Sequence, residues 1–323
     1  MTFSSFIIFG GCGFIGTHTK NFLKEKYPDA KIYVADLLAE NSEFSQKVDV
    51  RKPIEMKGKF GKDSLIFNFA AVHRTPGHPD YAYFETNIRG AENVCEFARR
   101  RDINNIVFTS SIAPYGAAEE LKHEATLPTP NTPYGISKLV AEKIHREWVA
   151  EDEKNRKLSV VRPGIVFGLG EKGNMTRLYK GLKTHKFAYA GRKDTVKKAC
   201  IYVKDLVRVM LAMAENDEAE HFQLYNCCFY PFFTIEQICN AMLNAVGMKR
   251  WIPFIPHKPM MAVATVCGVL GGLGLGICPA RVRKLMISTN ISGKKLSEHY
   301  PLNYALESAF ADWFKDCNYK ELF

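Results

Sequence analysis

The sequence predicts an α/β protein: a doubly wound parallel sheet with helices on both faces, joined to a smaller α/β domain. Three observations predict it. Short, continuous apolar runs recur through the first half, as expected of strands buried on both faces of a parallel sheet. Helical stretches at 17–27 and 134–151 lie among them. The first apolar run also ends in a glycine-rich loop that opens a helix.

Composition sets the limits. The chain has 323 residues with 46% hydrophobic and 24% charged, which excludes wholesale disorder. A net charge of +10 predicts an anionic partner without naming its class. Nine cysteines, an odd number with no paired C-x-x-C motifs at zinc spacing, read as free thiols of a reduced compartment. The N-terminus has no basic region ahead of its apolar stretch, unlike a signal peptide, so a cytoplasmic protein is expected.

The elements follow in order. Phe6–Phe9 is the first strand, and Gly10-Gly11-Cys12-Gly13-Phe14-Ile15-Gly16 is the loop after it. A helix over Thr17–Tyr27 is stopped by Pro28, and a second strand, Lys31–Ala35, ends at Asp36. Glycines allow a tight turn and let backbone N–H groups approach a pyrophosphate at the helix N-terminus. Asp36, twenty residues after Gly16, can accept hydrogen bonds from an adenosine ribose. Its charge repels a 2′-phosphate, which favours NAD over NADP. The whole unit is a far stronger signal than a glycine pattern alone.

Further strands are expected at Leu65–Asn68, followed by Phe69-Ala70-Ala71, and at Ile106–Ser111, ending in two hydroxyls. The helical pattern from Tyr134 puts Tyr134 and Lys138 four residues apart, on one face. A free tyrosine ionises near pH 10, and an adjacent ammonium should lower that value. A strand at Leu158–Val161 runs into Arg162-Pro163-Gly164.

The spacing Gly10-x-x-Gly13-x-x-Gly16, with the Ser–Tyr–Lys order behind it, resembles the extended short-chain dehydrogenase/reductase family, which includes sugar epimerases and dehydratases. The resemblance implies a Rossmann domain at 1–167, with 195–228 returning to it, and a substrate domain at 168–194 and 229–323. It implies that Gly10, Gly13, Phe14, Ile15, Gly16 and Asp36 hold NAD, and that Asp49 and Val50 read the adenine. Ala70, Ala71, Asn87 and Pro163 would lie beside the cofactor, while Ser110 touches it or packs. Ser111 would orient the sugar oxygen, Tyr134 would exchange its proton, and Lys138 would also hold the nicotinamide ribose.

Ten Lys/Arg fall between Lys172 and Lys204 against one acid, Asp194. In the family this stretch covers a diphosphate-linked sugar, which suggests Asn174 and Lys198 as ligands, with Arg281 a further candidate. Lys198 stands where the epimerases usually carry arginine, and a lysine lacks the bidentate fork.

The uncharged run Met260–Cys278, flanked by basic residues and crowded with glycines, departs from soluble nucleotide-sugar epimerases. Three readings are open for it: a buried or dimer-interface segment, a peripheral membrane patch, or a span. The arrangement is similar to the enzymes that 4-epimerise N-acetylglucosamine on a polyprenyl diphosphate. The expected activity is therefore NAD-dependent 4-epimerisation of a diphosphate-linked hexose or N-acetylhexosamine, by a homodimer. The alternatives are a 4-keto-sugar reductase and a non-catalytic NAD sensor. Nucleic-acid binding would use the charge, but no recognised module supports it.

Overall fold

The computed structural model describes residues 3–73, 77–190, 193–256, 258–259, 262, 265 and 286–318. The chain begins β1 (Ser5–Phe9), α1 (Phe14–Lys26), β2 (Lys31–Asp36), β3 (Ser45–Lys47) and β4 (Ser64–Asn68). It continues with α2 (Asp80–Arg100), β5 (Asn105–Thr109), a 3-10 turn at Ala113–Tyr115, β6 (Ala118–Lys122) and α3 (Pro133–Ala150). Next come β7 (Lys157–Pro163), β8 (Ile165–Phe167), α4 (Asn174–Lys183), β9 (Tyr189–Ala190), β10 (Lys197–Lys198) and β11 (Cys200–Tyr202). After α5 (Val203–Glu215) and β12 (Phe222–Cys227) lie β13 (Phe233–Thr234), α6 (Ile235–Ala245) and β14 (Phe254–Ile255). The described elements end with β15 (Thr289–Ile291), α7 (Lys294–His299) and α8 (Leu306–Asp316).

Seven strands form one parallel sheet in the order β12-β7-β5-β4-β1-β2-β3. The order reverses direction from β1, so the loops after β1 and β4 open side by side at the carboxyl edge, where such sheets bind ligands. The lack of alternation in the apolar runs has its explanation in β1. Phe6 and Ile8 enter one core with α5, α6 and α8, and Ile7 and Phe9 enter the other with α2 and α3. A second sheet, β13-β10-β15-β6, carries the end of the chain back against the segment after β5.

Two boundaries differ from the sequence reading. The helix α1 starts at Phe14, three residues early, because Gly16 belongs to its first turn, with Gly13 as the N-cap. The strand β5 ends at Thr109, which leaves Ser110 and Ser111 in the turn beyond it. Of the run Met260–Cys278 only Ala262 and Thr265 are among the described residues, and Arg281 lies outside them. Among the described residues no helix is long and apolar enough to cross a membrane.

Candidate active site

The glycine loop is packed backbone against backbone. Gly10 takes φ +77°, and a Cβ there would sit 2.8 Å from the Ala70 nitrogen. A Cβ on Gly16 would sit 2.4 Å from the Gly10 carbonyl oxygen. Side chains at either position would fill the cradle, so its shape fits a pyrophosphate approaching backbone amides. No side chain caps α1 at Gly13, so the first-turn amides, those of Phe14, Ile15 and Gly16, are free for such a ligand in helix geometry. Asp36, at the end of β2, accepts from the backbone N–H of Cys12 at 3.0 Å and of Leu38 at 2.9 Å.

The remaining cofactor candidates ring this edge. Ala70 and Ala71 follow β4 and are half-buried. Val50 is buried against Gly90 of α2, and its carbonyl accepts from Asn93 Nδ2 at 2.7 Å. The Asp49 carboxylate is gripped by its neighbour Arg51 at 2.7–3.2 Å, and that hydrogen-bonded guanidinium holds it below the usual carboxylate range. Adenine recognition through the Asp49 side chain would therefore compete with Arg51. Pro163 is the last, buried residue of β7, and its carbonyl accepts from the Ile112 N–H at 3.3 Å, drawing the serine turn onto the sheet.

Thr132 caps α3, accepting from the Gly135 N–H at 3.1 Å, and Pro133 occupies the first turn. This start fixes Tyr134 and, one turn on, Lys138. The Ser111 hydroxyl faces the Tyr134 phenol and favours its ionised form, and it accepts from the Ala113 N–H at 3.1 Å. The Tyr83 ring of α2 packs 6.2 Å from the Tyr134 ring. Lys138 is 3% exposed, with Nζ 4.6 Å above the Phe108 ring.

The electrostatics differ from the sequence expectation. Burial pushes the Tyr134 phenol up, the neighbouring Ser111 hydroxyl opposes it, and Tyr83 adds to the rise. Burial also drives Lys138 down to about 7, with Glu142 acting the other way. Lys138 is thus a weakened cation resting on an aromatic face, and in the protein alone it does not bring the phenol down.

Asn87 is buried and ties three elements together. Its Oδ1 accepts from the Val72 N–H at 2.8 Å, and its Nδ2 donates to the Val72 carbonyl at 3.1 Å and to Ser137 Oγ at 2.8 Å. Ser137 in turn donates to the Tyr134 carbonyl at 2.9 Å.

Ser110 turns inward instead of towards the cradle, donating to Glu142. The same carboxylate takes both arms of Arg162, at 2.8 and 2.6 Å. Arg162 stacks 4.7 Å from the Tyr115 ring, and Tyr115 donates to Asn226 Oδ1 at 2.9 Å. This buried set was missed from sequence, although one signal was present: Glu142 follows Lys138 by the same four residues that separate Lys138 from Tyr134.

On the substrate side each described candidate has a partner of its own. Asn174 is the exposed first residue of α4, its Oδ1 accepting from Arg177 at 2.9 Å. Glu171 accepts from the Thr176 N–H of the same first turn at 2.8 Å. Lys198 is buried, donates to the Ile287 carbonyl at 2.6 Å, and is driven down to about 8 by burial, with Glu119 opposing. Two cations of the stretch are answered by distant acids: Lys193 by Glu236, and Lys204 by Asp312 and Asp316 at 2.6 and 2.8 Å.

A cradle, a terminal acid and a Ser–Tyr–Lys cluster on one sheet edge invite comparison with known proteins. The family model described as NAD dependent epimerase/dehydratase matches residues 6–228. The chain belongs to that family. Its cofactor is accordingly NAD. It is 26% identical over 296 residues to an N-acetyl-alpha-D-glucosaminyl-diphospho-ditrans,octacis-undecaprenol 4-epimerase of Escherichia coli O157:H7, covering 90% of this chain and 88% of that one. To a UDP-glucose 4-epimerase of Bos taurus it is 27% identical over 298 residues, covering 78% and 83%. The solved structure of a UDP-glucuronic acid 4-epimerase from Bacillus cereus with NAD superposes with a TM-score of 0.72 at 17% identity, covering 98% of this chain and 99% of that one. That likeness establishes the family fold over almost the entire chain.

Proposed function

We propose that the protein interconverts the C4 epimers of an N-acetylhexosamine or hexose carried on a diphosphate, with a polyprenyl lipid as the favoured carrier. The observation that carries the reading is the approach of the Ser111 hydroxyl to the Tyr134 phenol, with buried Lys138 one turn along α3. In this reading Ser111 orients the sugar oxygen. Tyr134 takes and returns its proton, and the Lys138 ammonium stabilises the phenolate. NAD held by the loop supplies a reversible hydride acceptor. The absence of an acidic pair beside Ser111, which Ile112 and Ala113 follow instead, argues against dehydration. The full-length similarity to the lipid-linked 4-epimerase supports the carrier.

The same reading places the enzyme at the inner face of a membrane as a homodimer. Trp251 is 81% exposed and Phe254 50% exposed, near the exposed Lys249, a composition suited to an anionic lipid surface.

The purified protein, with no cofactor added, should epimerise polyprenyl-diphosphate N-acetylglucosamine faster than UDP-N-acetylglucosamine. Net consumption of NADH or NADPH would replace the epimerase by a reductase. Sedimentation with phosphatidylglycerol vesicles tests the membrane contact, and light scattering tests the dimer.

A further inference from the structure

Lys138 and Glu142 sit one turn apart on the buried face of α3, at 3% and 5% exposure. Behind Glu142 stands Arg162 of β7, with both arms on its carboxylate. Charges therefore alternate through the interior: ammonium, carboxylate, guanidinium. Ser110, next to the serine of the candidate site, donates to the same carboxylate and ties it to the turn after β5. Two residues, Ser110 and Arg162, thus fix the Glu142 carboxylate through three hydrogen bonds.

We propose that Glu142 is the positioning residue that keeps Lys138 charged and held beneath Tyr134, with Arg162 and Ser110 fixing the Glu142 carboxylate. The proposal rests on the catalytic reading of Lys138 given above. An ammonium buried over an aromatic ring is costly unless a counter-charge accompanies it. Glu142 is the counter-charge that acts on Lys138. The other groups shown beside Lys138 do not supply one: the Phe108 ring of β5 is neutral, and the buried His145 further along α3 bears no negative charge. Arg162 is of like sign, so without Glu142 two cations would face each other.

The pair also explains why the carboxylate is clamped from two further sides. A swinging Glu142 would alter the field at Lys138, and so the ease with which Tyr134 gives up its proton. Arg162 suffers from burial, yet the Glu142 carboxylate raises it and keeps it protonated.

The test is the titration of Lys138 itself, followed by nitrogen-15 NMR of the lysine side chains, with Lys138→Met identifying the resonance. In Glu142→Gln the Lys138 midpoint should fall by about one unit or more. The basic limb of the pH–rate profile should move down with it, while NAD content stays near the wild-type level. Glu142→Gln with Arg162→Met removes both charges together and avoids an unpaired guanidinium; it should lower the midpoint less than the single variant. Glu142→Asp should restore most of the midpoint. An unchanged Lys138 midpoint in Glu142→Gln overturns the proposal, as does a double variant whose midpoint falls further than that of the single one. Absence of epimerase activity in the wild type would instead overturn the catalytic reading, because the titration needs no turnover.

Discussion

The Asp36 carboxylate accepts the Cys12 amide at 3.0 Å, across the mouth of the glycine loop. The acid that ends β2 therefore also clasps the loop from its open side. Asp36→Ala should remove both the clasp and the ribose acceptor and weaken NAD binding by about tenfold or more, the scale of a hydrogen bond to a charged group. Calorimetric titration with NAD and NADP checks this, and preference for NAD over NADP should shrink in the same variant. Unchanged discrimination would remove Asp36 from the cofactor site.

Gly16→Ala should be severe for its size. The new methyl would stand 2.4 Å from the Gly10 carbonyl oxygen, which is backbone and cannot rotate aside. Overpacking of this kind costs about 1–3 kcal/mol, and the loop must open to relieve it. The expected result is a lower melting temperature together with loss of bound NAD. Normal NAD content would show that the cradle tolerates the shift.

Tyr134→Phe removes the proton carrier and leaves the ring packed beside Tyr83. Turnover should fall about 10²- to 10⁴-fold, the usual worth of a general acid–base group, with NAD content and melting temperature near wild type. Retained turnover would sink the role given to the phenol.

His145 gives a stability signature in acid. It is fully buried, stacked 4.1 Å from Phe108, with Nδ1 2.7 Å from the Ala141 carbonyl and Nε2 3.2 Å from Asn68 Nδ2. Burial drives it down to about 4. The native ring resists protonation while the unfolded one accepts it near pH 6.5, so its contribution is complete above pH 6.5 and lost as pH falls towards 4. That difference is worth on the order of 3 kcal/mol. Urea unfolding at pH 7 and pH 5 should show a smaller loss of stability in His145→Gln than in wild type.

The sheet was legible because both faces of its strands are buried, so apolar continuity marked β1, β4 and β5 without ambiguity. The loop and the Tyr134–Lys138 spacing were legible because their geometry is local. The Ser110–Glu142–Arg162 set was not, since its members come from a turn, a helix and a strand that meet only through the fold. For the same reason Lys204 counted only as one more charge of the 172–204 stretch, although Asp312 and Asp316 meet it from the other end of the chain. The Tyr134 ionisation could not be read from residue identity either, because it follows from how deeply Tyr83 and its neighbours enclose the ring.

Asn87 carries a consequence beyond its hydrogen bonds. One amide measures the loop after β4 against the first turn of α3, so both halves of the chemistry share a single datum. A nudge at Val72 reaches the Tyr134 backbone through the buried Asn87 amide and the Ser137 hydroxyl. A substitution that shortens the Asn87 side chain should therefore disturb NAD content and the placement of the phenol together.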